Sequence, residues 1–296
     1  MWNGQPRRDG AIGANGDTMR RKLILAHSPD ADDAFMFYAL ATGKIETGDL
    51  EFEHQLQDIE ALNLRTLNGD VDISAVSIHA YAKVAESYAL LPHGFAMGDR
   101  YGPRIVAREP LEPHDIRGRV VAVPGQLTSA HLALRLFEPD VDVRFVRFDE
   151  VMGYVSDGFA AAGVIIQQGQ LTYREEGLNL VLDLGEWWYE QTGLPLPLGG
   201  NVARRALGDE IIERICRYMR GSIQYAFDHR EETLAYASRF AGGMKDELVD
   251  EFVGMYVNRR TLDLGEDGRE SVREFLERGY KAGLIDSLPR VDFFEY

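Results

Sequence analysis

Residues 22–43 read K-L-I-L-A-H-S-P-D-A-D-D-A-F-M-F-Y-A-L-A-T-G. The apolar run at 22–26 has the character of a buried strand, and it stops at a loop holding one proline and three aspartates. Beyond the loop, A-F-M-F-Y-A-L-A-T-G reads as a helix closed by Gly43, with Asp30, Asp32 and Asp33 available to cap its start. A strand feeding a helix through a short loop is the opening half of a βαβ unit, and the same grammar recurs downstream.

Residues 50–54 alternate like a strand, and D-I-E-A-L-N-L-R-T-L-N-G at 58–69 reads as a helix with an aspartate cap and a glycine stop. Strands follow at 71–77, 119–123, 143–147 and 163–166, with helices near 79–87, 127–137 and 149–158. Residues 88–97 read as extended. From Gly208 the pattern is helical almost to the end, with glycine breaks at 242–243, 265–268 and 283. This alternation predicts an α/β protein, its mainly parallel sheets covered by helices. Proline-rich E-P-L-E-P at 109–113 and the Pro/Gly-rich run near 193–200 enclose one βαβαβ segment. That arrangement predicts two lobes: residues 108–198 inserted into a first lobe of 19–107 plus 199–296, with a ligand cleft between them. Residues 1–18, rich in Gly, Asn and Asp, are expected to be a disordered extension, and Met19 is a candidate start.

Composition narrows the function. The 296 residues carry 45% hydrophobic and 27% charged side chains and a net charge of −16. That balance argues against nucleic acid or membrane insertion, since no clustered cations and no roughly 20-residue apolar run occur. Cys216 is the only cysteine, which excludes an internal disulfide and cysteine-based zinc sites. No apolar signal-peptide core precedes the first strand, so the expected location is the cytoplasm. No G-x-G-x-x-G after a strand, P-loop or H-E-x-x-H occurs, which predicts action without a cofactor or metal. The expected partner is a small carboxylate or aromatic ligand, with a homodimer allowed.

Three stretches could carry chemistry. In H-S-P-D-A-D-D, at the carboxyl end of a strand, Ser28 and the free amides of the helix start could bind anionic oxygens, beside Asp32 and Asp33; Asp30 reads first as a helix cap. In V-P-G-Q-L-T-S-A-H-L, Thr128 and Ser129 bring two hydroxyls to a helix N-terminus; an N-cap accounts for one, and His131 reads as packing or surface. In S-A-V-S-I-H-A-Y-A, Ser77 and His79 lie two apart at a strand end, where Ser77 could cap and His79 could act as a base, as a donor to the ligand or as a buried structural group. No G-x-S-x-G elbow accompanies them.

Taken in order, S-P-D-A-D-D-A-F-M-F-Y-A-L, A-V-S-I-H-A-Y-A, G-D-R-Y-G-P-R-I-V-A, A-V-P-G-Q-L-T-S-A and E-W-W-Y-E-Q-T-G-L-P-L-P-L-G-G-N-V-A-R-R resemble the 1,4-dihydroxy-6-naphthoate synthases of the futalosine route to menaquinone. The resemblance runs from about Lys22 to the last helices. It implies the two-lobed fold of type II periplasmic binding proteins, and a cofactor-free lyase acting on cyclic dehypoxanthine futalosine. A base would remove a proton next to a carbonyl, the bond to the sugar-derived fragment would break, and the naphthoate ring would aromatise. Thr128 and Ser129 match the family's carboxylate-binding pair, while Ser77 and the loop at 98–103, with Arg100, match residues lining the cleft.

Three positions depart: Asp32 stands where the family has Asn, Ala34 where it has Thr, and the third lies at the reactive position. The family places its proposed catalytic histidine directly after an apolar strand, where A-G-V-I-I-Q-Q-G presents Gln167. A carboxamide does not titrate in the accessible range, and losing a general base commonly costs about 10²–10⁴ in rate. Three readings follow. His79 takes over as base while Gln167 orients the substrate; the chain runs a related reaction, as the sister chorismate dehydratases do on this scaffold; or it is a solute-binding protein in which Gln167 and Gln168 grip the ligand.

Overall fold

The computed structural model describes residues 20–296, so the expected extension over 1–18 and the candidate start at Met19 lie outside the described residues. The chain opens with β1 (Arg21–His27), α1 (Ala31–Ala41), β2 (Leu50–Leu56), α2 (Ile59–Asn68), β3 (Ile73–Ser77) and α3 (Ile78–Val84). β1 lies parallel to β2 from Arg21↔Leu50 to His27↔Leu56, and parallel to β3 at Leu25↔Ile73 and Ala26↔Ser74. α2 forms where its capping signals put it. Asp58 accepts from the amides of Glu60 and Ala61, each at 3.1 Å, and Gly69 ends the helix at φ 75°. α1 is apolar on nearly every side, and the structure buries it on nearly every side.

Short strands β4 (Tyr88–Leu90) and β5 (Ala96–Gly98) interrupt the stretch expected to be extended. Then come β6 (Arg104–Ala107), β7 (Val120–Val123), α4 (Ser129–Phe137), β8 (Asp142–Phe145), α5 (Val151–Ser156), β9 (Ala162–Ile165), α6 (Gly169–Thr172), β10 (Asn179–Asp183) and α7 (Leu184–Thr192). The chain returns through β11 (Leu196–Arg204) and ends in α8 (Asp209–Asp228), α9 (Arg230–Ala237), α10 (Asp246–Tyr256), α11 (Arg259–Leu262) and α12 (Gly265–Lys281). The helical run breaks between Leu262 and Gly265, whose φ is 71°, and Gly268 lies within α12.

Two sheets result, in the order β2-β1-β3-β11-β4 with β5 beside β11, and β10-β6-β9-β7-β8. Both have a parallel centre and antiparallel additions: β11 runs against β3, β4 and β5, and β6 runs against β9 and β10. The lobe boundaries expected from the proline breaks need correction. β6 falls within the stretch assigned to the first lobe, yet it hydrogen-bonds to β9 and β10 of the second sheet. The outgoing crossing therefore precedes Arg104. A strand joins whichever sheet satisfies its N–H and C=O groups, and a downstream proline does not decide which one.

The outgoing crossing touches the β10–α7 junction of the second lobe. The amide of Leu184 donates to the carbonyl of Pro103 at 2.9 Å, and a Cβ on Gly185 would lie 1.9 Å from the Tyr101 carbonyl oxygen. Only a residue without a side chain lets these backbones pass so close. One apolar core runs through this region from Tyr88 and Leu90 of the first sheet to Val121 and Val164 of the second, by way of Trp188 and Phe275. Trp188 is fully buried edge-on to Phe275, which makes it core and not cleft wall. A second core lies beneath α1, α8 and α10, and Cys216 packs within it. The lobes are thus welded on one side and open on the other.

Candidate functional site

A cavity lies on the open side of the molecule. Its walls combine Ser28, Asp30, Asp32, Asp33, Ser77 and Asn201 of the first lobe with Thr128, Ser129, Ile166 and Gln167 of the second.

The acidic loop between β1 and α1 is more tightly organised than a capping role requires. Asp33 turns back and accepts from the Ser28 amide at 2.7 Å, while the Ser28 hydroxyl donates to Asp30 Oδ2 at 2.5 Å. Asp30 is the N-cap residue of α1, but its side chain makes no capping bond, which corrects the sequence-based reading. Burial pushes the Asp30 carboxyl up to about 7; the Asp32 charge adds to this and the Ser28 hydroxyl opposes it. Asp32 is raised to about 6, mainly by burial, and Asp33 well above the usual carboxylate range by burial and by Asp32. Three carboxyls confined together cannot all ionise cheaply, so this loop holds a proton near neutral pH.

From the other lobe, Gln167 Nε2 donates a short hydrogen bond to the same oxygen, Asp30 Oδ2. Gln167 has the left-handed backbone conformation, φ 57°, immediately after β9 and Ile166, and its buried Oε1 has no partner. A non-glycine residue at positive φ is held there by its surroundings, and such residues cluster at functional sites. The holding group is Gln170. With its carboxamide oriented to satisfy its neighbours, Oε1 accepts from the Gln167 amide at 3.1 Å and Nε2 donates to the Gly102 carbonyl at 2.6 Å, beside the Tyr256 hydroxyl at 2.8 Å. A single buried carboxamide thereby ties the Gln167 turn to the hinge and to α10.

Thr128 caps α4, accepting from the His131 amide at 3.1 Å and donating to the Gly125 carbonyl at 3.0 Å. Ser129 donates to the Leu198 carbonyl at 2.6 Å. Both hydroxyl protons are thus committed to backbone, although both side chains face the cavity. The first-turn amides of Ser129 and Ala130 have no intrahelical acceptor and remain available to an anion. Ser77 is oriented by Asn63, which is fully buried: Asn63 Nδ2 donates to the Ser77 hydroxyl at 3.0 Å and Oδ1 accepts from its amide at 2.9 Å.

Three expected site residues stand elsewhere. His79 does not reach the cavity; it lies buried behind the Thr128–Ser129 turn, its Nδ1 3.3 Å from the Thr128 carbonyl. Burial lowers its pKa to about 4. It makes no bond to Ser77, so no serine–histidine pair forms. Arg100 sits exposed on the surface, its guanidinium 4.2 Å above the Tyr189 ring and donating to that hydroxyl at 2.8 Å. Pro103 is the residue of that loop that reaches the cavity wall. Gln168 also lies off the wall, because the left-handed turn at Gln167 sends the next side chain away. Conversely, Asp30, Gln170, Asn63 and Asn201 were missed as site residues, and only Asp30, lying in a motif already singled out, left a usable signal.

A sequence model for a family described as menaquinone biosynthesis matches residues 23–281. The chain is 40% identical over 268 residues to a 1,4-dihydroxy-6-naphthoate synthase of Thermus thermophilus, covering 90% of this chain and 97% of that one. It is 37% identical over 272 residues to the enzyme of the same name from Streptomyces coelicolor, covering 90% and 95%. A crystal structure of a protein from Archaeoglobus fulgidus superposes with a TM-score of 0.86 at 41% identity, over 89% of this chain and 98% of that one. An alkanesulfonate-binding protein from Xanthomonas axonopodis pv. citri superposes at 0.71 with 10% identity, over 91% and 96%, which establishes a periplasmic-binding-protein-like fold for this chain.

Proposed function

The chain belongs to the menaquinone biosynthesis family, and from that premise we propose that it is a 1,4-dihydroxy-6-naphthoate synthase whose proton-transfer group is Asp30. The observation that carries this assignment is the bond between Gln167 and Asp30: the residue at the expected histidine position is hydrogen-bonded to a carboxyl that titrates near 7. A base with a pKa close to working pH combines a useful ionised fraction with real basicity.

In this reading cyclic dehypoxanthine futalosine lies between the lobes, its carboxylate toward the first-turn amides of α4. Ionised Asp30 takes the proton next to the carbonyl. The electron pair left behind expels the sugar-derived fragment, and aromatisation draws the reaction forward. The Ser28 hydroxyl and the Gln167 amide hold the carboxylate in place and stabilise its charge before the proton arrives. His79 is not asked to act as base. We infer a cytoplasmic location from the chain's membership of a biosynthetic family.

The test is direct turnover. Purified protein given cyclic dehypoxanthine futalosine should yield dihydroxynaphthoate, and Asp30→Asn should reduce kcat by about 10²–10⁴. Ligand binding without turnover would return the chain to the solute-binding reading.

A further inference from the structure

Away from Asp30, a further contact joins the lobes, beside the bonds that tie Ser129 to the Leu198 carbonyl and to the His79 amide. Glu60, in the first turn of α2, extends its carboxylate to the turn before α4 in the opposite lobe. Its Oε1 accepts from the amides of Gln126 at 2.8 Å and Leu127 at 3.1 Å, and Oε2 lies 3.1 Å from the same Leu127 amide. The turn is shaped to receive it: a Cβ on Gly125 would stand 2.6–2.9 Å from the Glu60 carboxylate and Cβ. The carboxylate also lies at the N-terminal ends of both α2 and α4, where a negative charge is favoured. Behind it, Asn63 Nδ2 is 3.4 Å from Glu60 Oε2 and 3.0 Å from the Ser77 hydroxyl on the cavity wall.

We propose that Glu60 is a positioning residue that closes the cleft by serving as the protein's own anion in the amide nest of the second lobe. With Glu60 seated, the turn carrying Thr128 and Ser129, which Ser129 also ties to the Leu198 carbonyl of β11, is fixed over the cavity, and Asn63 passes the registration on to Ser77. The substrate carboxylate is thereby directed to the amides of Ser129 and Ala130, because those of Gln126 and Leu127 are already taken. Substrate then meets a pocket whose roof is in place. Glu60 touches no reacting atom, so its effect falls on binding and not on the chemical step.

Two readouts test this. Small-angle scattering of the unliganded chain should give a larger radius of gyration for Glu60→Ala than for wild type, with unchanged far-ultraviolet circular dichroism. This arm holds whatever the substrate is. The kinetic arm rests on the proposed synthase activity. Glu60→Ala should raise KM by roughly tenfold or more, the loss expected for hydrogen bonds to a charged group, with kcat within about threefold. Gly125→Ala should do the same in the wild-type background, because its methyl displaces the carboxylate. In the Glu60→Ala background it should add almost nothing. Should Glu60→Ala fail to fold, Glu60→Gln and Gly125→Ala carry the same comparison. Equal radii, a fall in kcat with KM unchanged, or multiplicative effects of the two substitutions would overturn the proposal. Absence of turnover in wild type would refute the enzymatic reading and leave the scattering result to decide the latch.

Discussion

The amide of Gln167 and the carboxyl of Asp30, 137 residues apart in sequence, share a hydrogen bond across the cleft. A group that cannot titrate is joined to one whose burial has moved it to about 7. On the proposed assignment, the proton acceptor at this place comes from the opposite lobe.

Gln167→Ala should move the acidic limb of the kcat/KM profile to higher pH. Burial is the main reason the Asp30 carboxyl titrates near 7, and the Gln167 hydrogen bond opposes that rise. Removing the donor favours the protonated, inactive form. The limb reports the free enzyme's essential base, so rate measurements between pH 5 and 9 check it.

Asp30→Asn should trade activity for stability, increasingly so as pH rises. Asp30 is raised from 3.8 to about 7 on folding. Below pH 3.8 folded and unfolded chains both hold the proton, and between 3.8 and about 7 only the folded chain does. The residue's contribution to stability therefore falls with pH across that window and is least favourable above it. The melting temperature of Asp30→Asn relative to wild type should climb from pH 4 to 7 and then level off.

His79→Gln should lower kcat by less than about tenfold, well short of the 10²–10⁴ that loss of a general base costs. The imidazole stands behind the Thr128 turn and outside the cavity. A loss of catalysis as deep as that of Asp30→Asn, assayed side by side, would restore His79 as the base.

Gly185→Ala should destabilise the fold by about 1–3 kcal/mol or more, because the added methyl would meet the Tyr101 carbonyl oxygen at 1.9 Å where α7 packs on the outgoing crossing. Urea unfolding followed by tryptophan fluorescence reads the change, since Trp188 lies in the core beside this hinge.

Signals confined to one turn or one strand were legible before any coordinates. Asp58 and Gly69 announced both ends of α2, and Thr128 announced the start of α4. The 22–43 stretch gave the β1–α1 unit because a period of two or of 3.6 and a cap are local properties. The lobe boundary failed where pairing was long-range: nothing within Arg104–Ala107 says which sheet will accept its hydrogen bonds. His79 and Arg100 look functional by type and neighbourhood, but orientation carried one behind a turn and the other onto Tyr189.

By itself the sequence determined the α/β class, the two-lobed plan, the family and the odd carboxamide after β9, since each rests on pattern or residue identity. Only the tertiary structure decided that the Asp30 side chain is buried against Ser28 and Gln167 and makes no capping bond, that Gln170 fixes Gln167, and that Glu60 joins the lobes. The physical reason is that desolvation and hydrogen bonding depend on which groups lie within a few ångströms, and folding sets that through contacts 60 to 140 residues apart.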